Sequence, residues 1–436
     1  MKVALVHDWL TGMRGGEKVL EVFCELFPDA HLYTLLHNKG SLCHTIESMD
    51  IRTSFIQKLP FIREKYRNLL PIFPAAIERF DLRGYDLVLS SSHCVAKGVL
   101  TGSDTLHVCY CFTPMRYIWD MYNLYFGKER AGTITRLSTS LVLNYLRKWD
   151  VASSKRVNKF VAISKYIADR IKRNYGRESD IIFPPVDCSY FKPKPARPYR
   201  TAPARTCPNR YRRVGTRPRQ KDIVGLANDV DGRAGGRSGE ANGDFYLMVS
   251  PLAPNKRVDI AIESFNKLGL PLKIIGSGQE ERKLQSMAGK NVELMGWQPD
   301  DVVRNHYVNC KALIFPGVED FGIVPLEAQA CGKPVIAYAK GGALETIVPL
   351  DKDKLNIKRQ NGQSNNATGL FFYEQTPESL AHAVHSFEER KDLFDKQVIR
   401  KNAESFDRVI FKDKIRNYIE QKYNEFRNAS SVLLHK

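Results

Sequence analysis

Acidic residues are scarce in this chain. Asp and Glu number 48 against 66 Lys and Arg, for a formal net charge of +18 over 436 residues. That excess points to an anionic partner: nucleic acid, acidic lipid or a phosphorylated ligand. Long apolar runs are missing too. None approaches the roughly 18 residues of a membrane span. The start, "MKVALVHDWL", has only a short apolar run before His7 and Asp8, without the long apolar core and small-residue cleavage site of a signal peptide, and reads as a buried first strand. Patterned cysteine is absent. The nine Cys include no CxxC pair and no regular spacing, which excludes a zinc site or a disulfide framework of recognisable type. Free thiols in a cytoplasmic protein are the expectation.

What is present is the composition of a folded protein, 43% hydrophobic and 26% charged. The length exceeds one ordinary core and suits two domains. Short apolar runs alternate with helix-like segments. "KVALVHD" precedes "GGEKVLEVFCELF"; "YDLVLSSS", "LHVCYCF" and "KFVAISKYIADRI" follow. After residue 243 the alternation resumes with "FYLMVS", "PLKIIGSG", "VELMGW", "KALIFPG" and "KPVIAYAKGG". Such runs predict parallel sheets covered on both faces, and the pattern runs twice. The predicted fold class is α/β, with two doubly wound Rossmann-like domains. Ligands bind such sheets beyond the carboxyl ends of the strands. His7, Ser90 to Ser92, Thr113, Ser250, Gly276, Glu319 and Gly341 fall at those ends.

The predicted boundaries are 1–180 for the N-terminal domain, 181–193 for a linker, 194–243 for an insertion, 244–403 for the C-terminal domain, and 404–436 for a terminal helix and tail. The insertion holds twelve Lys/Arg against four Asp/Glu, is rich in Arg, Pro and Gly, and has no apolar periodicity. It cannot bury enough surface to offset its ordering entropy, and is expected to be a disordered or loose surface segment. No aromatic platform or nucleic-acid motif accompanies its charge, so no nucleic-acid partner is expected.

The stretch "EDFGIVPLEA", residues 319–328, concentrates the chemistry. Glu319 and Glu327 flank an apolar turn containing Gly322 and Pro325. Gly317 and Gly322 permit close approach of the backbone to a ligand. Pro325 suits the first turn of a helix, whose exposed N–H groups can receive a sugar hydroxyl or a phosphate. Upstream, "TGMRGGEKVL" places Gly12, Gly15 and Gly16 in a turn opening a helix, which fits either a diphosphate or acceptor loop or a packing turn.

The alternation, this glycine loop and "EDFGIVPLE" together resemble the GT-B glycosyltransferases of family 4. Within that family they are most similar to the mannosyltransferases of bacterial O-antigen and surface-polysaccharide synthesis. The resemblance covers nearly the whole chain outside 194–243, and it implies two domains facing a cleft. It implies that Glu319 meets the donor sugar and Glu327 the ribose diol. It places Phe321, Gly322, Ile323 and Val324 on the donor, and Gly276, Gly278 and Gly296 near the nucleotide base. Lys256, with Arg257 beside it, would neutralise the leaving diphosphate without a bound metal. Glu319 and Lys256 are thus the candidate catalytic residues. Gly12, Gly15, Gly16 and Thr113 form the candidate acceptor or diphosphate loop.

Two positions depart from the pattern. Pro251 stands where the family usually has an Arg, and Phe112 where it has a His before "TPMRY". His7, His93 and His107 lie near Phe112 in the sheet order, and a lone His at a strand end is more often structural than catalytic. The implied activity is retaining transfer of a sugar, with mannose and GDP-mannose expected, from a nucleotide-sugar donor to a lipid-linked saccharide. The alternative is a non-catalytic nucleotide-sugar-binding protein of the same fold. Residues 55–80 interleave aromatics with Lys58, Arg63, Lys65, Arg67 and Arg79. They suit an anionic membrane face, or equally a solvated face over core helices. The expected location is the cytoplasm, with docking on the inner membrane face.

Overall fold

The computed structural model describes residues 1–60, 66–119, 133–193, 243–350 and 366–434. The basic insertion lies outside the described residues except for Gly243, as do Arg63 and Lys65. The first sheet has seven strands: β1 (Val3–His7), β2 (His31–Thr34), β3 (Asp50–Thr53), β4 (Leu87–Ser92), β5 (Leu106–Cys111), β6 (Lys159–Ala162) and β7 (Asp180–Ile181). The second has six: β8 (Tyr246–Val249), β9 (Leu272–Ile275), β10 (Val292–Leu294), β11 (Leu313–Phe315), β12 (Val335–Tyr338) and β13 (Gly369–Phe372).

The spatial orders are β3-β2-β1-β4-β5-β6-β7 and β10-β9-β8-β11-β12-β13, and every pairing is parallel. Both sheets run outward from the first strand, return past it, and continue on the other side. This is the doubly wound order, with its crevice beside the first strand of each sheet. The central strands β1, β4 and β5 are buried along their whole length. That burial on both faces explains why the sequence shows continuous apolar runs rather than alternation.

The long C-terminal helix (Arg408–Leu434) returns to the first domain. Phe411 packs between Phe23 and Tyr110, with ring centroids at 6.1 and 5.7 Å. Arg408 and Lys412 pair with Glu25 at 2.6 and 2.9 Å, and the Tyr418 hydroxyl donates to Asp180 at 2.8 Å. The two chain crossings are laced by Val186 N to Phe406 O (2.9 Å) and Arg408 N to Val186 O (3.0 Å). Among the described residues no helix is long and apolar enough to cross a membrane.

Of the 55–80 segment, Ile56, Tyr66, Phe73, Ala76 and Ile77 are buried in a core of the first domain. Phe55 and Ile72 remain exposed, and the Arg79 guanidinium covers the Phe55 ring at 4.9 Å.

The turn after β4 is organised by one carboxylate. Asp8 is wholly buried just past β1. Its oxygens accept from the backbone N–H groups of His93, Cys94, Val95 and Ala96 at 2.6–3.0 Å, and His93 Nδ1 lies 3.0 Å away. Burial favours the neutral acid, but His93, through its charge, its side chain and its backbone N–H, holds the carboxyl well below the usual range. A folded value below the unfolded one of about 3.9 stabilises the fold at neutral pH, and this contribution is lost as the pH falls through the folded value. Asp8→Ala leaves these donors unmet, and should cost about 3–5 kcal/mol in urea denaturation at pH 7. It should also reduce the loss of stability between about pH 4 and 2.

Candidate active site

The loop after β11, residues 316–322, is held between two other loops with no room to spare. A Cβ on Gly317 would lie 3.1 Å from the Lys256 Cα. One on Gly341 would lie 2.4 Å from the Glu319 carbonyl oxygen, and one on Gly342 2.2 Å from the Phe321 Cα. Gly342 N donates to Glu319 O at 2.9 Å. Gly322, in the left-handed region at φ 91°, then starts the helix Ile323–Ala330, with Pro325 in its first turn. Leu326, Ala328 and Ala330 enter the core. Glu319 and Asp320 are thereby fixed on the loop, with Glu327 one turn inside the helix.

Lys256 ends a short turn after β8, and its ammonium meets the Glu319 carboxylate. Burial lowers the Lys256 pKa to about 7; the charge of Arg116 acts in the same direction and Asp320 opposes it. Arg257 is not brought to this pair. Its guanidinium is taken by Asp259 (3.1 Å) and Gln375 (3.3 Å), and Gln375 in turn donates to Pro316 O at 2.8 Å.

Glu327 is buried and doubly engaged. Lys18 Nζ donates to Oε1 at 2.9 Å and the Tyr307 hydroxyl to Oε2 at 3.0 Å. Lys18 belongs to the first-domain helix Gly15–Leu26, so this contact crosses the cleft. Beside it lies a cavity of about 110 Å³ lined by Met13, Lys18, Tyr190, Phe191, Ile323 and Glu327 among others. The two helix starts face each other here. A Cβ on Gly15 would lie 3.2 Å from Ile323 Cδ1, and one on Gly16 3.5 Å from the Phe112 ring. Gly12 sits in the turn before them at φ 151°.

Phe112 packs against His7 (6.4 Å), His93 (6.4 Å) and Tyr110 (5.6 Å). His7 Nδ1 hydrogen-bonds Ser91 Oγ at 2.7 Å, and its Nε2 lies 3.8 Å from Glu17. His107 is a core residue. It bonds Ser90 Oγ at 2.8 Å, and burial drops its pKa to about 3. Thr113 is buried, its hydroxyl donating to Pro114 O at 3.0 Å rather than into the cleft. Gly276 and Gly278 have a local reason to be glycine: their Cβ atoms would lie 1.9 and 2.3 Å from the Ser250 and Leu252 carbonyl oxygens. Gly276 N also donates to Gly296 O at 2.8 Å.

The sequence reading missed the residues that tie the domains together at this loop. Asp320 pairs with Arg116, from "TPMRY", and with Arg170 at 3.0 Å. Ser164 Oγ donates to the Asp320 carbonyl at 2.6 Å. Glu345 accepts from the N–H groups of Lys165 (2.7 Å) and Tyr166 (3.0 Å), at the start of the helix Lys165–Tyr175. The only local signal was an acid beside Glu319 in an otherwise apolar turn. Its partners lie 204 and 150 positions away.

Residues 237–406 match the family model "Glycosyl transferases group 1". An uncharacterized glycosyltransferase of Methanocaldococcus jannaschii is 35% identical over 114 residues, 25% of this chain and 32% of that protein. A GDP-mannose-dependent monoacylated alpha-(1-6)-phosphatidylinositol monomannoside mannosyltransferase of Corynebacterium glutamicum is 35% identical over 116 residues, 23% and 30% of the two chains. The chain spans about a third of the length of these curated relatives. Over the whole length, the Anabaena protein HepE in complex with UDP superposes with a TM-score of 0.59 at 15% identity, covering 97% of this chain and 100% of that one. The fold is therefore GT-B, and residues 237–406 are similar in sequence to the group 1 glycosyltransferases.

The close threading of the loop yields a stability test. Gly342→Ala forces a Cβ into the Phe321 backbone and should cost about 1–3 kcal/mol, the usual penalty of overpacking. Gly15→Ala meets only the flexible end of Ile323, and should shift stability by less than about 1 kcal/mol. Chemical denaturation of the two variants compares them; equal, small losses would show that the loop yields easily.

Proposed function

We propose that the chain is a retaining glycosyltransferase. It transfers mannose from GDP-mannose to a lipid-linked saccharide, working at an anionic membrane surface and without a metal ion. The observation that carries this reading is the joining of Glu319 with Lys256 on the loop that leads into the helix Ile323–Ala330, which carries Glu327 one turn inside and faces a glycine loop. Mannose and GDP are favoured by the mannosyltransferase relatives. HepE, with which the fold is shared, was crystallised with UDP, so the base is a separate question for experiment. The net charge of +18 and the basic, partly exposed 55–80 segment favour an anionic surface.

In this reading the acceptor hydroxyl attacks the sugar from the side of the leaving diphosphate, which takes the acceptor's proton. Lys256 stabilises the charge that develops on the diphosphate. Glu327 accepts hydrogen bonds from the ribose hydroxyls, and Lys18 must yield or share that carboxylate. The cavity beside it is smaller than the roughly 300–1,000 Å³ of a site for a ligand of this size, so donor binding requires the cleft to open. Phe112 and Pro251 favour a second reading, a nucleotide-sugar-binding protein without turnover. Release of GDP from GDP-mannose, with or without acceptor, separates the two.

Two outcomes test the roles. Glu327→Ala should weaken GDP and GDP-mannose alike, about 10- to 100-fold for loss of charge-assisted hydrogen bonds. Glu319→Ala should leave GDP affinity within about twofold and cut transfer about 100- to 1000-fold. Equal loss of GDP binding in both would sink this division. The second outcome concerns pH. A bound diphosphate favours the charged form of Lys256, whose pKa is held near 7. GDP affinity should therefore be full below pH 7 and fall from pH 7 to 9, by at most about tenfold per unit for one linked proton. Lys256→Met should flatten the profile, as read by calorimetry, whereas a flat wild-type profile would contradict the role given to Lys256.

A further inference from the structure

We infer that Arg116, a residue of the first domain, is the second cation of the leaving group and contacts the terminal phosphate of the donor diphosphate. This assignment rests on the transferase reading and adds a catalytic residue to it.

Among the described residues, the cations paired around this loop are Lys256, Arg116 and Arg170. The turn after β8 offers Lys256, bound to Glu319. Pro251 carries no charge, and Arg257 is held by Asp259 and Gln375. Lys18 stands at the other end, on Glu327. Arg170 is only 4% exposed and sits behind Asp320. Arg116 is 23% exposed and pairs with Asp320, the residue next to Glu319. Its charge reaches Lys256 strongly enough to help disfavour that residue's protonation. Arg116 and Lys256 are thus held by adjacent residues of one loop, Asp320 and Glu319.

Asp320 is placed to orient Arg116 rather than consume it. Its carboxylate already meets Arg170 on Oδ1 and Arg116 on Oδ2, so one negative charge faces two positive ones. A guanidinium carries five N–H donors in a rigid fork, so an Arg steered by a carboxylate can also present N–H groups to a phosphate.

The end of the diphosphate that Arg116 meets follows from the order of the loop. Glu327 lies on the ribose side in this reading and Glu319 on the sugar side. Arg116, beside Glu319, therefore meets the phosphate bonded to the sugar. When the bond from the sugar's anomeric carbon to that phosphate's oxygen breaks, the electron pair stays on the phosphate oxygen. The acceptor oxygen forms the new bond to the carbon, and its proton passes to the phosphate. Arg116 and Lys256 stabilise the negative charge appearing there. Because Arg116 comes from the first domain, this pair of cations assembles only when the domains meet.

The experiment uses the full chain and compares nucleoside diphosphate with monophosphate, GDP with GMP and UDP with UMP, by calorimetry. Arg116→Ala should weaken the better-bound diphosphate about tenfold to a hundredfold and leave the monophosphate within about twofold. Arg116→Lys should recover part of the loss. Asp320→Asn, which removes the interdomain ion pairs but keeps both arginines, should retain more of the preference for diphosphate than Arg116→Ala. If Arg116→Ala keeps the wild-type preference, or Asp320→Asn loses as much as Arg116→Ala, Arg116 acts only in closing the cleft and the inference fails. If the wild type prefers neither diphosphate over its monophosphate, the transferase reading fails with it.

Discussion

The loop from Pro316 to Gly322 is the constraint on which the rest of the site depends. Its backbone runs so close to the turn at Gly341–Gly342 that no side chain fits at either glycine, and a Cβ on Gly317 would crowd the turn at Asn255–Lys256. On that loop Glu319 meets Lys256, and Asp320 faces the other domain. The helix that starts at Ile323 then carries Glu327 to Lys18 and Tyr307. One rigid loop thus sets both ends of the proposed donor site, and it also supplies the acid that gathers two arginines across the cleft.

The electrostatics follow from burial. Lys256 is kept near its titration point by loss of water and by Arg116. A cation in that state responds strongly to an arriving diphosphate, because the anion restores the charge that burial discourages. The same logic runs through the first domain with opposite sign, where Asp8 stays ionised while wholly buried because four N–H groups and His93 surround it. One carboxylate organises the turn beneath Phe112; the other charged group is held ready for a ligand.

The fold was legible because its signal is local. Apolar runs such as "VALVH" and "LVLSSS" lie inside covered parallel sheets, and the chain repeats the pattern after residue 243. The placing of Glu319 and Glu327 around a helix start was legible for the same reason, since Gly322 and Pro325 mark that start. The cleft-crossing contacts were not. Arg116 with Asp320, and Lys18 with Glu327, join residues 204 and 309 positions apart, and neither composition nor periodicity registers such pairs. Adjacent residues also diverged in ways a motif does not encode: Arg257 turns to Asp259 while Lys256 turns to Glu319. At Gly276 and Gly278 the glycines have a packing reason that a ligand-based reading does not supply, because neighbouring carbonyls occupy the space a side chain would need.

On the proposed function, the cleft between Glu319, Lys256 and Glu327 receives a nucleotide sugar. Thermal unfolding of the full chain in a panel of nucleotide sugars tests it most directly. A ligand that binds the folded state, present at about 100 times its dissociation constant, adds roughly 2.7 kcal/mol of stability. GDP-mannose should raise the melting temperature more than GMP or free mannose, and Glu327→Ala should abolish most of the rise. A panel in which no nucleotide sugar shifts the transition, with the protein folded and the ligands in large excess, would contradict the account.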